Sequence, residues 1–192
     1  MRHACAFVLL LVGSSFSVCQ DSRESEFGTA LRKAVQAALK GNDFEDLRKP
    51  GEAASDSFEA SITVPGFERC DVGADSAAQA SLHKKMFDCA KGFDNEADAI
   101  VFYTSLVGNL NEAIGKGQLL PPSDKGKWKQ AKLKKNIVVA AFGGKAQGEC
   151  YGREKNNFLI QVYEGHEFRF GPSRFAAVLQ IHDLSAQLAG CN

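Results

Sequence analysis

Over residues 22–41 apolar side chains recur at three- and four-residue spacing. Phe27, Ala30, Leu31, Ala34, Val35, Ala38 and Leu39 fall on one face, which predicts an amphipathic helix. Ser22 or Ser25 can cap its start, and Gly41-Asn42 is a suitable stop. A polar, acidic stretch follows to about Asp56, with Phe44 and Leu47 as its large apolar residues. The period then changes to two. Phe58, Ala60, Ile62 and Val64 alternate with Glu59, Ser61 and Thr63, the pattern of a half-buried strand that ends at Pro65-Gly66. Residues 67–72 read as a second extended piece, 73–85 as a loop, and Met86 to Ala90 as another short strand.

The helical period returns over 95–115. Asp94 or Asn95 can cap this segment, and Glu96 and Asp98 lie in the first turn, where the helix dipole favours acids. Ala97, Ile100, Val101, Thr104, Val107, Leu110 and Ile114 form the expected buried stripe, and Gly115 the expected stop. Phe102, Tyr103 and Leu106 widen the apolar surface, so the helix is expected to lie across a sheet. Residues 116–135 are rich in Gly, Pro and Lys, and Pro121-Pro122 argue for a flexible, irregular segment. Ile137 to Phe142 reads as a central strand and Phe158 to Tyr163 as another, closed by Gly165. Residues 175–188 fit two periods. Phe175, Ala177, Leu179 and Ile181 alternate as a strand, while Phe175, Val178, Ile181, Leu184 and Leu188 fit a helix. The strand reading is preferred for 176–182, with a short helical turn toward Cys191. The order of elements gives an α+β fold: an antiparallel sheet with an N-terminal helix and a central helix packed on one face.

The first residues belong to a different kind of segment. Arg2 and His3, an apolar run from Ala4 to Val12, and the small residues Gly13, Ser14, Ser15 and Ser17 follow the plan of a secretory signal. Cleavage after Ser17 or after Cys19 fits, and the second is preferred. The expected organisation is a signal peptide at 1–19 and a single domain at 20–192. Val18 before Cys19 weakens a lipid-anchored alternative. The expected product is exported, whether periplasmic, extracellular or secreted. About 170 residues are ample for one core, and twelve of the fourteen Phe are spread along them, from Phe27 to Phe175.

Export changes the meaning of the cysteines. Removal of 1–19 leaves Cys70, Cys89, Cys150 and Cys191, which in an oxidising compartment are expected as two disulfides. Three connectivities exist, and Cys70–Cys89 with Cys150–Cys191 is preferred. The chain has no CxxC pair and no closely spaced Cys/His set, so neither a thioredoxin-type site nor a zinc site is expected.

Catalytic motifs are equally sparse. His83 lies beside Lys84 and Lys85 in a polar stretch. His166, in Glu164-Gly165-His166-Glu167, reads as a turn, and His182 precedes Asp183. Residues adjacent in a strand point apart, so these acid–His neighbours make poor dyads. Gly-x-Ser-x-Gly, His-Glu-x-x-His, the EF-hand loop and the P-loop are absent, and Ser81-x-x-Lys84 stands without its partner motifs. No cofactor is expected.

Net charge is zero, yet its distribution is uneven. Residues 116–135 hold seven lysines and one acid, a local charge of +6. Lys125, Lys127, Lys129, Lys132, Lys134 and Lys135 surround Trp128, the chain's single tryptophan. Residues 41–60 carry a local charge of −4. A lysine cluster with an aromatic suits a polyanion or an anionic membrane surface. Lysine instead of arginine argues against bidentate phosphate reading, and sequence-specific nucleic-acid binding is not expected. Two plainer readings compete: a solvated linker whose Trp128 packs on the core, and neutralisation of the tract by the acidic 41–60 segment. The leading expectation is an exported, non-enzymatic binding domain. The alternative is a hydrolase-like secreted enzyme with a dispersed site near His166 or His182.

Overall fold

The computed structural model describes residues 25–41, 44–51, 57–74, 85–121, 123, 126–132, 147–153, 156–166 and 175–183. The elements are helix α1 (Glu26–Lys40), a short 3-10 turn (Glu45–Leu47), strands β1 (Ser57–Glu59), β2 (Cys70–Ala74) and β3 (Lys85–Phe93), helix α2 (Glu96–Gly115), and strands β4 (Trp128–Lys132), β5 (Gln147–Arg153), β6 (Asn156–His166) and β7 (Phe175–Asp183). All seven strands form one sheet in the order β1-β2-β3-β7-β6-β5-β4. Every pairing is antiparallel. This is the α+β fold expected from the patterning.

Both helices begin on side-chain caps. Ser25 Oγ accepts the Gly28 N–H at 3.0 Å, and Asn95 Oδ1 accepts the Asp98 N–H at 2.9 Å. Helix α1 ends at Gly41, whose φ of 65° opens the left-handed conformation that a side chain resists. Helix α2 runs to Gly115, and the left-handed residue that closes it is Gly117. Gly28 has a second reason to lack a side chain. A Cβ there would lie 2.5 Å from Gln118 Oε1, where the chain leaving α2 crosses the start of α1.

The helices pack against the middle of the sheet, α1 on β6 and β7 and α2 on β3, β6 and β7. The core takes one parity from each strand: Cys70 and Val72, Phe87 and Cys89, Ala177, Leu179 and Ile181, Phe158, Ile160 and Val162, and Tyr151. From above come Phe27, Leu31, Ala34 and Val35 of α1 and Tyr103, Leu106, Leu110 and Ala113 of α2. The other sheet face is apolar in places too, with Met86, Cys150, Leu159, Tyr163, Ala176 and Val178 buried. At the β3 side Phe102 anchors α2. Its ring meets Phe67 edge-on at 5.2 Å and Phe93 at 5.4 Å. Lys91 Nζ sits 4.8 Å from the Phe102 centroid and donates to the Gly66 carbonyl at 3.0 Å.

Four expectations change. The buried stripe of α2 is rotated: Ala99, Tyr103, Leu106, Leu110 and Ala113 are buried, while Ala97, Ile100, Val101 and Thr104 face outward, Val101 at 70 % exposure. Apolar residues nearly encircle this helix, so periodicity did not define one face; the aromatic anchors Phe102 and Tyr103 set the rotation. In α1, Leu39 likewise lies outward. The strand expected over 58–64 pairs only as far as Glu59, with an isolated bridge from Ala60 to Arg48. Its partner β2 starts at Cys70, which already accepts the Ala60 N–H, so residues 61–64 have no strand to pair with. The segment expected to be irregular at 116–135 contains edge strand β4, because its backbone completes the ladder of β5. Finally, β6 continues past Gly165 to His166, which pairs with Phe175, so His166 lies in a strand and not in a turn. The strand reading of 176–182 holds, and β7 is central.

The Cys70–Cys89 bridge is present and joins directly opposed residues of β2 and β3. Cys150 is also disulfide-bonded, to a cysteine outside the described residues. The signal segment 1–19, the strand expected at Ile137 to Phe142, Cys191 and the turn before it lie outside them as well.

Two stability outcomes follow from this packing. Leu110→Asp should abolish cooperative unfolding or cost at least about 3 kcal/mol, since an unpaired charge enters the core. Val101→Asp should stay within about 0.5 kcal/mol of wild type. Thermal melts followed by circular dichroism separate the two, and equal sensitivity would contradict the helix rotation. Replacing Cys70 and Cys89 together by Ala should cost about 3 kcal/mol, from the loop that the bridge closes, read as a lowered urea midpoint.

Candidate functional site

Two features stand out from ordinary core and surface, and they meet at β4. The first is the basic tract. Trp128, Gln130 and Lys132 share the parity of Tyr151 and Glu149, the residues opposite Gln130 and Lys132, so they belong to the helix-covered side. Lys129 and Ala131 take the other side. Trp128 is half-buried and meets Phe158 edge-on at 5.7 Å, which ties the tract to the core. Lys127, Lys129 and Lys132 are exposed. Lys125, Lys134 and Lys135 lie outside the described residues. The backbone of Arg153 in β5 is in register with Trp128, a pairing that the sequence tract does not show. Its place 25 residues downstream leaves no local signal.

The acidic segment lies elsewhere. It is bound to β1 by the Arg48–Ala60 bridge and by the Lys49 N–H on the Glu59 carbonyl at 2.8 Å. Among the described strands, β1 and β4 stand at opposite ends of the order, six spacings and thus roughly 29 Å apart. Asp46 pairs with Lys40 and Glu59 with Lys49. Asp43, Glu52 and Asp56 of this segment, like Lys125, Lys134 and Lys135 of the tract, lie outside the described residues.

The second feature is a polar cluster beside α2. Glu149 and Glu164 are buried, at 6 % and 4 % exposure. Glu149 accepts from Lys132 Nζ and from Gln130 Nε2, the latter at 3.3 Å. Gln130 Nε2 also lies 3.3 Å from the Tyr151 hydroxyl, to which Asn111 of α2 hydrogen-bonds. The Lys132 side chain is 79 % exposed, so one buried carboxylate is matched by a cation that reaches in from solvent. Glu164 is opposite Gln147, which hydrogen-bonds to it, and diagonal to Glu149, about 7–8 Å away at Cα. Burial pushes the Glu164 carboxyl above its ordinary range, and Glu96 adds to this, while Gln147 opposes it. Burial also pushes the Tyr151 hydroxyl up to about 12, assisted by Glu149 and opposed by Asn111. Tyr103 is raised for the same first reason, with Glu149, Tyr151 and Glu164 contributing. These groups are tyrosines and carboxylates that neutral water would leave unremarkable, and no spacing in the sequence marks them; they converge because β5, β6 and α2 meet.

Among the described side chains, His182 is not brought to this cluster. His182 is half-buried on the sheet face away from the helices, in register with Met86 and Leu159, with Asp88 and Gln180 on the same face. His166 ends β6, two residues beyond Glu164. His83 lies outside the described residues. Among the described residues, no group of three or more His, Cys, Asp or Glu is placed to hold a metal ion.

The described residues form a disulfide-bonded α+β fold with exposed lysines on β4. In comparisons with known proteins, no family model, no curated protein and no solved structure matches the chain.

Tyr151→Phe should cost about 1 kcal/mol at neutral pH, by removing the hydroxyl shared by Gln130 and Asn111. The raised tyrosine also makes folding weaken with alkali. The folded hydroxyl holds its proton up to about 12, so stability is lost as pH rises from the ordinary tyrosine range toward that value. Urea midpoints at pH 7, 10 and 11 test both points, and the variant should lose less stability than wild type over that rise.

Proposed function

We propose that this chain is exported and acts as a non-enzymatic binding domain, with the β4 edge as its contact for an anionic ligand or surface. The observation that carries this reading is the separation of charge by strand order. The described part of the acidic segment is bridged to β1, while Lys127 and Lys129 are exposed at β4, the other end of the described strand order. Clustered lysines attract anions without demanding one geometry, and each contributes about 1 kcal/mol near an anionic membrane. Trp128 gives the edge rigidity through Phe158.

Export is supported by the signal-like N-terminus and by the Cys70–Cys89 disulfide, which fits an oxidising environment. Among the described residues, no helix is long and apolar enough to cross a membrane. A plainer role for edge lysines also exists, since they discourage edge-to-edge pairing of sheets. Binding and edge protection differ in one respect: only binding requires the cations to be recognised.

The test is co-sedimentation with anionic liposomes and retention on heparin beads over a salt series. The variant carries Gln at Lys125, Lys127, Lys129, Lys134 and Lys135 and keeps Lys132, whose loss would leave Glu149 without its cation. Wild type should bind at low salt and release as salt rises. The variant should bind at least ~10-fold more weakly with an unchanged melting curve. Binding to beads alone would select a free polyanion, and to liposomes alone a headgroup surface. Failure of both at low salt would reject the β4 edge as a contact.

A further inference from the structure

The buried carboxyl of Glu164 has no part in the edge contact, and its surroundings are unusual for an acid. It lies on the helix-covered face of β6, between Ala177 of β7 and Gln147 of β5, with Val162 preceding it on the same face. Helix α2 packs on β6 and β7 and brings Glu96 and Tyr103 toward it. From β5 come Gln147 and, diagonally, Glu149, whose charge is matched by Lys132. Helix α1 also packs on β6, but its buried residues are Phe27, Gly28, Leu31, Ala34, Val35, Ala37 and Ala38, none ionisable. Lys91 is on the same cross-strand row beyond Ala177, yet its amine is engaged by the Gly66 carbonyl and the Phe102 ring. His166 follows two residues along β6.

We propose that Glu164 is an acid-sensitive latch beneath α2: the helix seats fully on the sheet when this carboxyl carries its proton, and its seat loosens as the proton leaves. A neutral carboxyl in this position is a hydrogen-bonding group with an amide partner. An ionised one is a buried anion near the further acid Glu96, with a neutral amide as its hydrogen-bond partner. Helix α2 bears the consequence because it packs over β6 and contributes that acid. The sign is fixed. A carboxyl whose folded-state value is raised holds its proton longer folded than unfolded. Stability is therefore lost as pH rises from the ordinary glutamate value of 4.5 toward the raised folded value. An exported domain with this device is held most firmly in mildly acidic surroundings.

The experiment uses the full chain, as wild type, Glu164→Gln and His166→Asn. Melting temperatures are taken from pH 4.5 to 8, and amide hydrogen exchange is read by mass spectrometry at pH 5 and 7.5, corrected for intrinsic exchange. The wild-type melting temperature should fall across the window above pH 4.5. Glu164→Gln should remove most of that fall and melt higher than wild type at pH 8, by about 2 °C or more. In wild type, α2 peptides should lose protection at pH 7.5 more than α1 peptides do. The proposal is overturned if the Glu164→Gln profile runs parallel to wild type, or if His166→Asn removes the slope instead. Protection that changes equally in α1 and α2 would also overturn it, since that is global loosening and not a latch. Where a variant folds poorly, equal loss of protection in α1 and α2 of the wild type still overturns the proposal.

Discussion

The sheet depends on one strand that the chain makes late. β7 lies between β3 and β6, and through it the β1-β2-β3 half is joined to the β4-β5-β6 half. Its register is long on both sides, with Met86 to Phe93 paired along one edge and Phe158 to His166 along the other. Ala177, Leu179 and Ile181 supply the middle of the core, and Ala176 and Val178 are buried on the opposite face. A strand buried on both faces cannot alternate cleanly between apolar and polar. That is why 175–188 carried two readings in the sequence. The interaction that decides between them is with β3, more than eighty residues earlier. Pairings of such separation are slow to form and reward the chain only once both halves exist.

With β7 in place, the two helices have a platform, and the rotation of α2 follows. Its outward residues Ile100 and Val101 are as apolar as several of its inward ones. Phe102 settles the orientation at one flank, against Phe67, Phe93 and Lys91, and Tyr103 at the other, over the carboxylates of β5 and β6. An aromatic flank and a polar flank together orient this helix more firmly than an apolar stripe would. The polar flank carries a cost, since Glu149 and Glu164 are withdrawn from water. Lys132, Gln130 and Gln147 offset it with hydrogen bonds.

Charge follows the same geometry. Among the described residues, the ion-paired acids Asp46 and Glu59 lie toward β1, and exposed lysines lie at β4, the other end of the strand order. Lys132 links the lysine tract and the buried polar cluster, because it belongs to the first in sequence and to the second in space. The tract is thus less loose than its composition suggested. Trp128 is inserted beside Phe158, and the backbone is paired with β5.

By itself the sequence determined the two helices, most strand positions and the α+β class, and it narrowed the caps to two candidates each and favoured the Cys70–Cys89 pairing among three connectivities. It also marked the lysine tract. These rest on local causes: hydrophobic period, cap chemistry and short separations between cysteines. Tertiary structure alone decided the face that α2 buries, the early end of β1, the strand in the lysine tract and the central place of β7. It alone assembled Tyr103, Tyr151, Glu149 and Glu164. Those outcomes depend on which distant segment supplies a backbone partner or excludes water from a polar group. Residues far apart in the chain carry no periodic mark of that meeting, since each alone is chemically ordinary until the other arrives.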